Sequence, residues 1–150
     1  MYQKILVPLD GSELAECVLP HVKAIASGCD VKQLILLRVV EPLHGGEIPS
    51  DISSEVLQEA DINAAKEYLA KIKAQLSKEG FDVEAEVLTG RSAEIISDFA
   101  QRNEVDLIAL STHGRSGISR WVFGSVADRV VRSSSVPVLL IRPRGCEVGI

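Results

Sequence analysis

Cysteine is scarce in this 150-residue chain: Cys17, Cys29 and Cys146 are odd in number and far apart. That spacing speaks against a paired-ligand metal knuckle and against a disulfide framework, so reduced thiols are expected. Long apolar runs are lacking too. Hydrophobic residues make up 46% of the chain, yet no stretch approaches the roughly 18 residues that a membrane span needs. The opening Met1-Tyr2-Gln3-Lys4-Ile5-Leu6-Val7 enters a strand-like run at once, leaving no room for the zones of a signal peptide, and a cytoplasmic location is expected. Positive charge is in deficit, with 16 Lys/Arg against 21 Asp/Glu and a net of -5, which argues against broad binding to nucleic acid or anionic membranes. Neither Gly-x-x-x-x-Gly-Lys-Ser/Thr nor Gly-x-Gly-x-x-Gly occurs, so an ATPase P-loop and a Rossmann dinucleotide fingerprint are both excluded. No catalytic triad, internal repeat or low-complexity tract stands out. The length suits one domain with a real core, spanning residues 1–150.

Five short apolar runs rich in branched residues read as strands: 4–9, 33–40, 83–88, 107–111 and 136–141. Helical patterns separate them. The first helix follows Ser12, a suitable N-cap, with Leu14, Val18, Val22 and Ile25 on one face and a kink expected at Pro20. The second covers 52–77 with Ala65, Leu69, Ile72 and Leu76 at helical spacing, closed by Gly80. The third covers 92–102 and turns Ile95, Ile96 and Phe99 inward. The fourth follows Gly124 and buries Val126, Ala127, Val130 and Val131. Strands alternating with helices at this rhythm imply an α/β fold, a five-stranded parallel sheet with right-handed crossovers. Residues 41–50, with Pro42, Gly45, Gly46 and Pro49, lack a period and read as a loop able to act as a flap. The last strand carries Pro137, which cannot donate to a ladder, and so belongs at an edge. Pairing of that apolar edge, Val136-Pro137-Val138-Leu139-Leu140-Ile141, with a second copy implies a homodimer.

The chemistry concentrates in Ser111-Thr112-His113-Gly114-Arg115-Ser116-Gly117 and in Gly124-Ser125-Val126 beyond it. Glycine lets backbone approach an anion, and the first amides of the following helix lack intrahelical partners and carry its positive dipole end. Residues 102–144 hold 7 Lys/Arg against 3 Asp/Glu, a net of +4, whereas residues 1–101 hold 9 against 17, a net of -8. A locally basic segment around a helix start, in an acidic protein, suits a small phosphorylated ligand better than a polymer. If strands 1 and 4 are neighbours, the loop Asp10-Gly11-Ser12 faces this cradle, and Asp10 can accept from a sugar hydroxyl or form an Asx turn that starts the first helix. Ser125 serves equally as a phosphate contact or an N-cap. Trp121 reads as a packing residue, and His113 lies within the loop, where it could meet a phosphate. Gly114-Arg115-Ser116-Gly117 matches the clamp of KH domains, but five parallel units contradict that fold.

These residues resemble the universal stress protein family over nearly the whole chain. The marks are Lys4-Ile5-Leu6-Val7-Pro8-Leu9-Asp10-Gly11-Ser12, the run from Ser111 to Gly117, and Gly124-Ser125-Val126 ahead of the last strand. ATP-binding members carry Gly, two residues, Gly, nine residues, Gly, then Ser or Thr; here Gly114, Gly124 and Ser125 match, and Ser111 replaces the first glycine. The resemblance implies a Rossmann-like fold of the adenine nucleotide alpha hydrolase type, with sheet order 3-2-1-4-5, helices on both faces and dimerisation through strand 5. It also implies a cofactor, ATP or a related adenine nucleotide, with Mg or Mn as accompanying cation. Pro8 and Asp10 would line base and ribose, Val39 the adenine edge, and Leu110 and Ser111 the other side. The backbones of Gly114, Gly124, Ser125 and Val126 would hold phosphates. A stress-response or signalling module with at most slow hydrolysis is then expected, since the glycine loop has no lysine and no evident general base. The alternative is an interaction or chaperone-like protein without nucleotide, recognising partners through its long second helix and the 41–50 loop.

Overall fold

The computed structural model describes residues 1–43, 53–112 and 124–143. Five strands, β1 (Lys4–Pro8), β2 (Gln33–Val40), β3 (Val83–Thr89), β4 (Leu107–Ser111) and β5 (Val138–Ile141), form one sheet. Its order is β3-β2-β1-β4-β5, and all four pairings are parallel. The fold is the expected one. Strand alternation divides the core in two. Ile5, Val7, Leu34, Leu36, Leu107 and Ala109 face one side, while Leu6, Ile35, Leu37, Val39, Ile108 and Leu110 face the other. Because both faces are covered, the central strands read as unbroken apolar runs rather than alternating ones.

The first face is covered by α1 (Glu13–Glu16), α2 (Leu19–Gly28) and α3 (Ser54–Lys78), and the second by α4 (Ser92–Arg102) and α5 (Ser125–Ser133). The single kinked helix expected after Ser12 is instead two. Pro20 has no N–H and its ring would collide with the carbonyl one turn back, so α1 stops at Glu16 and tight turns at Cys17 and Val18 intervene. The chain then restarts with Pro20 in the first turn of α2, where proline is tolerated. Ser12 caps α1 as expected, accepting from the Ala15 N–H.

α3 begins at Ser54, with the Ser53 hydroxyl accepting from the Val56 N–H. It ends in a Schellman closure: Gly80 at φ +97 lets its own N–H reach the Ser77 carbonyl and the Phe81 N–H reach Leu76. In α4 the buried positions are Ala93, Ile96 and Ala100, with Ile95 and Phe99 half-buried at the margin of the core. In α5 Ala127 and Val130 are buried but Val131 is 47% exposed, because it sits about 100° around the helix from Val130.

Strand β5 is shorter than its apolar run. The Val136 N–H turns back to the Ser134 hydroxyl and Pro137 has no N–H, so ladder donation begins only beyond them. All four β5 residues remain half-exposed, as befits an edge. Cys17 is disulfide-bonded, which corrects the expectation of reduced thiols throughout, while Cys29 is a free, half-buried thiol. Sequence separation does not limit which cysteines a fold brings within bonding reach; Cα geometry does. Among the described residues no helix is long and apolar enough to cross a membrane.

Candidate functional site

From β1 the chain winds toward β2 and β3, and from β4 it winds the other way to β5. The exits of β1 and β4 therefore diverge and leave a crevice at the carboxyl end of the sheet, where open parallel sheets take ligands. A cleft of about 650 Å³ occupies that place. Pro8, Asp10, Val39, Leu110, Ser111, Gly124, Ser125 and Val126 all line it. Two turns more than a hundred residues apart thus meet in one cavity. Gly114, together with His44, His113, Gly117, Trp121 and most of the 41–50 loop, lies outside the described residues.

Both readings of Asp10 hold together. Its Oδ1 accepts from the Ser12 N–H at 2.9 Å and from the Ser12 hydroxyl at 2.5 Å, an Asx turn in which Gly11 takes φ +87. That turn holds the carboxylate at the cleft wall while the same Ser12 oxygen caps α1.

Opposite stands the start of α5. Gly124, not Ser125, is the N-cap, with no side chain to cover the helix end, and Ser125 is the first helical residue. The first intrahelical donor is the Asp128 N–H, bonded to the Gly124 carbonyl at 2.9 Å. The amides of Ser125, Val126 and Ala127 consequently have no acceptor within the helix, and all three residues line the cleft. Amides without an intrahelical acceptor at a positive dipole end are suited to an anionic group.

The wall that sequence reasoning missed comes from α3. Asp61, Ala64, Ala65 and Tyr68, spaced i, i+3, i+4 and i+7, face the cleft as one stripe. Length was the available signal. Twenty-five residues rise about 37 Å, against about 26 Å for eight-residue β2. The excess projects past the carboxyl edge of the sheet, and α3 accordingly has no buried residue before Ala65.

Arg38 and Glu41, at the end of β2, complete this side. The Arg38 guanidinium donates to the Val39 carbonyl at 2.6 Å. The Glu41 carboxylate accepts from the Ser92 N–H at 3.2 Å and caps α4, whose own N-cap, Arg91, makes no side-chain bond to the helix. Burial pushes the Tyr68 phenol well above the usual tyrosine range; the Glu16 and Asp10 carboxylates push the same way and Arg38 opposes them. Burial likewise raises the Glu16 carboxyl, opposed by the neighbouring Tyr68 hydroxyl and reinforced by Glu13. Among the described residues no group of three His, Cys, Asp or Glu side chains could hold a metal ion.

The family model described as "Universal stress protein family" matches residues 1–142. The chain belongs to the universal stress protein family. A universal stress protein of Methanocaldococcus jannaschii is 33% identical over 143 residues, covering 95% of this chain and 83% of that relative. Among solved structures of similar fold, a second Methanocaldococcus jannaschii universal stress protein, MJ0577, superposes with a TM-score of 0.85 at 33% identity, covering 97% of this chain and 99% of the other. The universal stress protein of Archaeoglobus fulgidus, solved in complex with dAMP, superposes with a TM-score of 0.65 at 25% identity, covering 93% and 98%.

Proposed function

We propose that this universal stress protein is a binding module that holds an adenine nucleotide, ATP foremost, in the cleft between the Asp10 turn and the start of α5, and signals through its occupancy. The observation that carries this is the joining of a carboxylate wall to three helix amides without an intrahelical acceptor within one cavity of about 650 Å³. The dAMP held by the Archaeoglobus relative supports the ligand class. ATP extends that class by two phosphates, directed to the amides of α5. Ser111 in place of the first motif glycine adds only a small hydroxyl at the rim of the cleft. Magnesium or manganese would travel on the ligand's phosphates, since the described residues supply no ready cage.

The sequence between Ser111 and Ser125 contains no lysine, so retention of the nucleotide with at most slow hydrolysis is the proposed mode. Dimerisation through β5 and a cytoplasmic stress-response or signalling role complete the reading. The half-exposed edge of β5 supports the dimer. Isothermal titration with ATP and magnesium tests the core of it. Saturable heat that Gly124→Val removes is expected, because a valine at the helix cap crowds the anion's place. No heat at millimolar nucleotide would overturn the proposal.

A further inference from the structure

Tyr68 is the polar tip of the α3 stripe. Its ring belongs to the cleft wall and packs against the core beneath. Its hydroxyl is buried and, among the described residues, has no partner that satisfies both hydrogen-bonding distance and angle. The Glu16 carboxylate lies beside it, close enough for the two groups to act on each other's protons, and the charges of Asp10 and Arg38 bear on it too, but none meets it in full hydrogen-bond geometry. A buried hydroxyl left without a partner is rare in folded proteins and calls for an acceptor, a water or a ligand. The phenol stays protonated at any physiological pH, which makes it a steady donor. Asp10, held in its turn, offers an acceptor in the same cleft, near enough for its charge to bear on the phenol. A donor and an acceptor set together match a vicinal diol, one hydroxyl of which gives its proton while the other receives one.

We propose that the Tyr68 hydroxyl reads the ligand's sugar: paired with Asp10, it donates to a ribose hydroxyl and sets a preference for ribonucleotides over their deoxy counterparts. This deepens the adenine-nucleotide reading above and rests on it. Tyr68 is thus a specificity residue carried by a helix outside both sequence motifs.

The test is titration of the wild type and Tyr68→Phe with ATP, 2′-deoxy-ATP and 3′-deoxy-ATP, alongside thermal melts without ligand. One neutral hydrogen bond corresponds to about a five- to tenfold loss of ATP affinity in Tyr68→Phe. That loss should vanish for the deoxynucleotide lacking the contacted hydroxyl. The ligand-free variant should melt at or above the wild-type temperature, because an unmet buried donor has been removed. Equal ATP affinity in both proteins means that a water or the Glu16 carboxylate satisfies the hydroxyl, and it overturns the proposal. An equal loss for all three nucleotides marks a structural role and also overturns it. If the wild type binds no adenine nucleotide, the underlying reading fails first and the proposal with it. Should Tyr68→Phe not fold, the Cζ resonance of labelled Tyr68 in the wild type decides instead. It must shift with ATP and shift less with one deoxynucleotide; identical shifts with all three overturn the proposal.

Discussion

Asp10→Asn and Asp10→Ala should part company, because the carboxylate has two tasks that an amide can only half perform. Oδ1 accepts from the Ser12 N–H at 2.9 Å and from the Ser12 hydroxyl at 2.5 Å. Asparagine keeps an acceptor oxygen at that place and tolerates the Asx turn. Alanine loses both bonds, and in this half-buried setting the loss amounts to about 1.5 kcal/mol. For a chain of this length that lowers the melting temperature by about 3–6 °C. Toward a ligand the order differs: both substitutions remove the charged acceptor, so ATP affinity should fall about tenfold or more in each. Differential scanning fluorimetry and isothermal titration on the three proteins give the two readouts. Asp10→Asn binding ATP as tightly as the wild type would refute the ligand role. An Asp10→Ala protein as stable as the wild type would refute the turn's contribution.

Glu16 supplies a pH signature. Its carboxyl is raised chiefly by burial, so the folded state favours the protonated form, and the stability it contributes is present below the ordinary glutamate range and lost as pH rises through the raised value. Glu16→Gln should therefore equal or exceed the wild type in melting temperature at pH 7, with any advantage shrinking toward pH 4; an advantage that grows on acidification would contradict this. At the other end of the sheet, the Asp106 carboxylate accepts from the Gln3 and Lys4 N–H groups at 2.7 and 2.8 Å and ties the entry of β4 to that of β1. Asp106→Ala should lower stability by about 1–3 kcal/mol in urea titration, with nucleotide affinity unchanged because the cleft lies at the opposite edge. Light scattering at micromolar concentration should give twice the 16.2 kDa chain mass, and a monomer there would dismiss pairing through β5.

Much of the cleft is legible in the amino-acid sequence. Asp10-Gly11-Ser12 and Gly124-Ser125-Val126 announce backbone that turns tightly and then opens a helix, and such local chemistry depends only on neighbouring residues. What escaped was whatever depended on distance. Tyr68 belongs to a helix whose apolar stripe reads as core packing, and only the overhang of α3 beyond β2 turns its upper part into a wall. Glu41 reads as the start of a loop, yet it caps a helix that begins fifty residues later. Pro20 marks a disturbance in the sequence, but whether a helix bends or breaks there depends on what packs against it.

The amino-acid sequence by itself determined the alternation of strands and helices, the parallel sheet and the two turns that carry polar chemistry, because periodicity, caps and glycines act over a few residues. The tertiary structure alone decided that Asp10, the α5 amides and Tyr68 share one cavity, and which helix ends borrow their caps from elsewhere. Those relations are set when the winding reverses between β1 and β4 and when helices are seated on a sheet shorter than they are. No local signal encodes either event.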